Sequence, residues 1–149
     1  MLVISDILFL SSDMYFLIYR SEVANQMPED ELKHLLEQSR ERNKTINITG
    51  MLLHFDNKFL QLLEGEKADV KRLYADIRED LRHKNVVTLK EGDAESRLFP
   101  DWSMSFKIVS KEEIANEPAY KNINGPGSPG ALDVVTLFNL LRGKSNSKV

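Results

Sequence analysis

The chain has 149 residues, 42% hydrophobic and 29% charged, with a formal charge of -3 and no cysteine. This describes one globular domain, expected in the cytoplasm, without the basic excess that nucleic acid requires or the roughly 20-residue apolar run that a membrane span requires. The missing thiols remove disulfide and thiolate chemistry, and His34, His54 and His83 lack metal-ligand spacing, so no metal is expected.

Residues 1–13 read as a leader. Leu2 to Ile4 and Ile7 to Leu10 are apolar, but Asp6 interrupts them and neither a basic start nor a small-residue cleavage site is present, so this is not a secretion signal. Tyr15 to Ser21 has the aromatic and β-branched composition of a strand, with Tyr15, Leu17, Tyr19 and Ser21 on one face. Pro28 opens a helix to about Asn43, with Glu29, Asp30 and Glu31 in its first turn. Its inward stripe is Leu32, Leu35, Leu36 and Ser39, and Asn43 continues that stripe.

Strands are predicted over Ile46 to Phe55 and Lys58 to Leu63, joined by a hairpin turn at Asp56-Asn57 and ended by Gly65. A helix from about Lys67 to Leu81 follows, with Val70, Leu73, Tyr74, Ile77 and Leu81 at helical spacing. Val86 to Leu89 and Trp102 to Val109 read as strands, the second presenting Trp102, Met104, Phe106 and Ile108 on one face. The order strand, helix, hairpin, helix, strand, strand predicts an α+β, ferredoxin-like fold: about five strands in a mixed sheet, with two helices on one face.

From residue 110 the chain reads as a linker and a C-terminal helical extension. Val134, Leu137, Phe138 and Leu141 make a stripe that Leu132, Val135 and Leu140 widen, suited to closing the outer face of the sheet or to meeting another chain. Gly125, Gly127 and Gly130 spell a dinucleotide fingerprint, but no buried strand precedes them and prolines occupy two of the variable positions, so the stretch is a linker.

Three polar side chains fall on faces that periodicity assigns to the interior: Tyr19, Asn43 and Gln61. Each has an ordinary explanation: a packed strand tyrosine, a helix C-cap, a solvent-facing glutamine. Gln61 resists it most, because Phe59 and Leu63 share its face while Leu60 and Leu62 lie on the other. A buried amide without partners costs on the order of 1–3 kcal/mol, so Gln61 must be hydrogen-bonded. Its oxygen accepts and its nitrogen donates, so it can bridge a hydroxyl and a polar ligand.

These residues and their surroundings resemble the BLUF (blue-light-using-flavin) family. The matching pieces are LIYRS with Tyr19, Asn43 seven residues before Gly50, ITGMLLHF from Ile48, FLQLLEG with Gln61, DLRH at Asp80 to His83, and FPDWSMSF with Trp102 and Met104, in the family's order over roughly Met14 to Val109. The resemblance implies a BLUF domain over 14–109 that binds flavin non-covalently, usually FAD, with FMN or riboflavin as alternatives. The ring would enter between the two helices. Asn43 would anchor its polar edge and Gln61 would bridge it to Tyr19; Leu35, Phe59 and Ile77 would form apolar walls, with Ser39, Asp80, Arg82 and His83 nearby. The implied function is that of a blue-light photoreceptor rather than an enzyme. Light would draw an electron and then a proton from Tyr19, Gln61 would rearrange its hydrogen bonds, and a reversible red-shifted state would result. Trp102 and Met104 are candidate relays.

This chain departs from the family pattern in three ways. Arg42 stands where many members have a second asparagine, Asn47 stands where a small or apolar residue often precedes the ITG run, and 13 residues precede Met14, the expected native start. The residues after Val109 do not read as a cyclase, a phosphodiesterase or a DNA-binding segment, so a separate partner protein, and a homo-oligomer, are expected. The alternative is a cofactor-free ferredoxin-like interaction module in which Gln61 is a satisfied core amide. An acylphosphatase-like hydrolase is weakest, because SEVANQMP after the first strand has no glycine for an anion-binding loop.

Overall fold

The computed structural model describes residues 14–55, 57–101, 103–110 and 112. The leader, Trp102, the linker and the C-terminal helix predicted above lie outside the described residues. Within them, the order is β1 (Met14–Val23), α1 (Glu29–Thr45), β2 (Thr49–Phe55), β3 (Lys58–Glu66), α2 (Lys67–Glu79), β4 (His83–Asp93) and β5 (Ser105–Ile108). The five strands form one sheet in the order β4-β1-β3-β2-β5. β1 runs antiparallel to β3 and β4, β2 antiparallel to β3, and β2 parallel to β5, so the sheet is mixed and the first four strands have the predicted ferredoxin-like arrangement.

Both faces of the central strands are buried. The inner face, with Leu17, Tyr19, Leu52, Phe59 and Leu63, packs against Leu32 and Leu36 of α1 and Val70, Leu73, Tyr74 and Ile77 of α2. The outer face gathers Ile18, Met51, Leu53, Leu60 and Leu62 with Phe99 and Val109. Each fully buried leucine contributes roughly 1.5–3 kcal/mol relative to exposure. This double burial explains why β2 and β3 read as nearly continuous apolar runs instead of alternating.

Local chemistry corrects several predicted bounds. Pro28 is the N-cap of α1 rather than its first helical residue, and the acidic first turn follows it. At the other end Asn47 takes a left-handed φ of 54°, which asparagine tolerates, and the Ile48 N–H closes onto the Asn43 carbonyl at 2.9 Å. That turn uses residues 46–48, so β2 begins at Thr49 and the unusual Asn47 has a backbone role. β3 runs through Gly65 to Glu66 instead of ending at Leu63. Helix α2 stops at Glu79, because Asp80 is extended and its carboxylate accepts the Arg82 backbone N–H at 2.9 Å; Leu81, predicted to face inward, is 89% exposed. β4 is much longer than Val86 to Leu89, since an edge strand with one open side needs no apolar alternation. β5 is shorter than predicted: Met104 precedes it, and Ile108 is exposed rather than sharing Met104's buried face.

Gly50 is a fixed requirement of the β2–β3 pair. Its φ is 153°, and a Cβ there would lie 1.9 Å from the Leu62 carbonyl oxygen.

The β4–β5 connection travels from one edge of the sheet to the other and changes face. Phe99 belongs to the outer cluster and Met104 to the inner one. On the inner side Asn43 Nδ2 donates to the Ser103 carbonyl at 3.0 Å and Arg40 Nε to the Met104 carbonyl at 3.0 Å.

Candidate functional site

Cross-strand register builds the floor of the site. Tyr19 on β1 lies opposite Gln61 on β3, which lies opposite Leu52 on β2, and the next row is Ser21, Phe59 and His54. These rows face the gap between α1 and α2. A cavity opens there, with Tyr19, Leu52, Phe59 and Gln61 from the sheet, Leu35, Ser39 and Arg42 from α1, Ile77 from α2, and Asp80, Arg82 and His83 from the turn after it.

The Tyr19 hydroxyl donates to Gln61 Oε1 in a short, buried hydrogen bond. The other end of the amide, Nε2, donates to Met104 Sδ at 3.4 Å. One buried amide therefore couples a phenol to a thioether. Burial pushes the Tyr19 phenol well above its ordinary range, Arg42 opposing this in part, so Tyr19 keeps its proton at neutral pH.

His83 is fixed at both ring nitrogens. Because the Ile77 carbonyl can only accept, Nε2 carries the hydrogen at 2.5 Å from it, and Nδ1 then accepts from the Ser21 hydroxyl at 2.9 Å. Its ring meets Tyr19 edge-on, centroids 6.3 Å apart. At the mouth, Arg82 forks onto the Asp80 carboxylate and reaches Gln38 Oε1 at 3.2 Å; its hydrogen bond, outweighing a small burial effect, holds Asp80 below the usual carboxylate range.

Nine of the ten predicted binding residues, Tyr19, Leu35, Ser39, Phe59, Gln61, Ile77, Asp80, Arg82 and His83, share this cavity. Asn43 is adjacent: its fully buried amide turns to Ser103 and lines a neighbouring cleft with Thr49 and Ser103. It is also not a C-cap, since Ile46 has that position. Arg42 and Leu52 were missed. Arg42 lies one helical turn beyond Ser39, and counting back from the two-residue hairpin turn places Leu52 opposite Gln61, so both were within reach of periodicity. Met104 does reach Gln61, but not from a strand beside it, because β2 lies between β3 and β5.

The set of donors selects the kind of ligand. Apolar side chains on opposite walls, Leu35 and Ile77, with an amide, hydroxyls and an imidazole along one edge, fit a flat aromatic ring with a polar rim. No group of three or more metal-ligating side chains occurs among the described residues. The family pattern described as "BLUF: Sensors of blue-light using FAD" matches residues 14–105. The chain belongs to the BLUF family. The BLUF domain is a flavin-based sensor of blue light, and the cavity fits a flavin ring as described above.

BLUF relatives span several assemblies. The chain is 32% identical over 108 residues to photoactivated adenylate cyclase subunit beta of Euglena gracilis, covering 72% of this chain and 12% of that protein. It is 37% identical over 83 residues to the blue light- and temperature-regulated antirepressor BluF of Escherichia coli K12, covering 56% of this chain and 21% of that one. The chain thus spans about an eighth to a fifth of these curated relatives. Among solved structures, the BLUF protein BlrB in its dark state matches with a TM-score of 0.75 and 30% identity, covering 90% of this chain and 98% of BlrB. Photo-activated BlsA matches with a TM-score of 0.77 and 27% identity, covering 91% of this chain and 99% of BlsA.

Proposed function

We propose that this protein is a blue-light photoreceptor whose BLUF domain, residues 14–109, holds flavin, in the first place FAD, and reports light as a change of hydrogen-bonding state. The observation that supports this reading is the buried series from the Tyr19 hydroxyl through the Gln61 amide to Met104 Sδ, of which Tyr19 and Gln61 line the cavity. When bound, the flavin supplies blue absorption and an oxidising excited state.

The protein supplies the rest. Leu35 and Ile77 would hold the ring between them, Phe59 and Leu52 would close its floor, and Ser39, Arg42 and His83 would offer polar contacts, with Asn43 within one residue of the wall. Tyr19 is the electron and proton donor, its proton held on Gln61 Oε1. Oxidation would make the phenol proton far more acidic, so it would move along that bond, and the return of electron and proton would restore the neutral phenol. Rotation or tautomerisation of the Gln61 amide then exchanges donor for acceptor at both ends: Tyr19 meets a donor, and Met104 loses one. Packing around Met104 carries the difference onward as a shift between two populations, with Trp102 as a second candidate relay.

The output is a state, not a turnover, and a separate protein in the cytoplasm reads it, with a homo-oligomer of this chain as the signalling unit. Absorption spectra of protein purified after expression with added flavin test the reading. Yellow protein whose spectrum shifts to the red in blue light and recovers in darkness is expected. Colourless protein, or bound flavin with no reversible shift, would overturn it.

A further inference from the structure

A carboxylate on the far side of β3 from Gln61 is buried and has no part in the mechanism above. Glu64 is 3% exposed, in a row otherwise apolar. Its carboxylate oxygens accept three hydrogen bonds from two directions. The Leu98 N–H donates to Oε1 at 2.5 Å, the Phe99 N–H to Oε2 at 3.1 Å, and the Thr49 hydroxyl to Oε2 at 3.0 Å. Arg97 completes the clamp: its Nη1 donates to Thr49 Oγ1 at 2.9 Å and to the Glu64 carbonyl at 3.0 Å. Burial pushes the Glu64 carboxyl up, while the two backbone donors, Thr49 and Arg97 oppose it.

The residues held lead into the segment that carries Met104. Phe99 sits in the outer cluster, and five residues later Met104 sits in the inner cluster, against Gln61. The chain changes face in that interval. Its outer end is fastened to β3 by Glu64 and its inner end by Asn43 and Arg40. Gln61 and Glu64 are three residues apart on one rigid, fully paired strand, so anchoring the connection to Glu64 also anchors it relative to Gln61.

We infer that Glu64 is a positioning residue of the photoreceptor, holding the 97–99 segment so that Met104 Sδ faces the Gln61 amide, a role that rests on the photoreceptor reading above. Charge-assisted bonds from backbone N–H groups are about twice as strong as neutral ones, which suits a carboxylate to this task better than a glutamine of the same shape. Replacing one oxygen by NH₂ places a donor against a donor. The segment then loosens, Met104 no longer holds Gln61 Nε2, and the dark orientation of the amide is the state that loses support.

Dark recovery of flavin-loaded full chain tests this directly. Glu64→Gln should retain flavin and the red shift but recover roughly three- to tenfold more slowly, the scale of losing one net hydrogen bond. In a Met104→Leu background the same substitution should change recovery less than about twofold, because residues acting through one contact are not additive. Recovery of Glu64→Gln within twofold of wild type, or an undiminished effect without Met104, would overturn the proposal. A second readout does not need light. The five methionines allow methyl NMR, and the Met104 methyl signal should move in Glu64→Gln while that of Met27 stays. Thr49→Val, which removes one donor to the carboxylate and the Arg97 contact to Thr49 but leaves the Leu98 and Phe99 N–H bonds, should shift Met104 the same way if the Glu64 variant does not fold. A wild type without photoresponse would sink the photoreceptor reading, whereas an unmoved Met104 methyl would sink the positioning role.

Discussion

Met104 Sδ lies 3.4 Å from Gln61 Nε2 although a whole strand, β2, separates β3, which carries Gln61, from β5, which Met104 precedes. The contact exists because Met104 precedes β5, at the point where the connection comes round onto the inner face, and its unbranched side chain fills the space beside the amide. Gln61 is therefore held from both ends by groups from distant parts of the sequence.

Gln61→Leu should leave flavin binding intact, since the apolar walls and α1 contacts remain, but abolish the red shift. A leucine cannot exchange donor for acceptor. Light-minus-dark difference spectra check this; a wild-type shift in the variant would remove Gln61 from the switch.

Tyr19→Phe removes the phenol that carries the donated proton. The normal photoproduct should be absent, and because Gln61 Oε1 is left buried without its donor, stability should fall by about 1–3 kcal/mol. Transient absorption and urea unfolding measure the two effects separately. Persistence of the normal photoproduct would identify another donor, such as Trp102.

Gly50→Ala should cost more than about 3 kcal/mol or prevent folding, since the new methyl would overlap the Leu62 carbonyl and neither backbone can yield without breaking the β2–β3 ladder. Urea denaturation against wild type is the measurement. Gly65→Ala should be milder, because the closest obstacle at 2.8 Å is the tip of the Ile48 side chain, which can turn away.

His54 gives a pH dependence of definite sign. Burial holds its imidazole below the ordinary value, the Lys58 carbonyl at 3.1 Å only partly opposing it. The unfolded chain thus binds this proton first as pH falls through about 6.5, so stability contributed by neutral His54 is present above that value and lost below it. Urea midpoints of wild type should decline relative to His54→Gln across this interval, and parallel curves would show that His54 does not titrate differently on folding.

Much of the site was legible because β-strand parity and helix periodicity are strictly local. Tyr19, Gln61 and Phe59 are assigned to the inner face by period two alone, and Leu35, Ser39 and Ile77 by the helical repeat. The family resemblance then added Asp80, Arg82 and His83. Glu64 shows where this stops. By parity it shares a face with Leu60 and Leu62 and would pass for the polar end of a strand, yet it is buried, because its partners are backbone N–H groups more than thirty residues away. Leu81 fails in the opposite direction: its spacing is helical, but the Asp80 carboxylate takes up the Arg82 N–H and ends the helix first.

The sequence by itself determined the element order, the inward faces and the presence of polar groups that needed partners, since those follow from repeat periods and from the high energy of an unpaired buried amide. Tertiary structure alone decided who the partners are. Which donors meet Glu64, which sulfur meets Gln61 and which carbonyl sets the His83 tautomer all depend on chain crossings and on the β4-β1-β3-β2-β5 order, and hydrogen bonds between residues far apart in sequence leave no periodic trace.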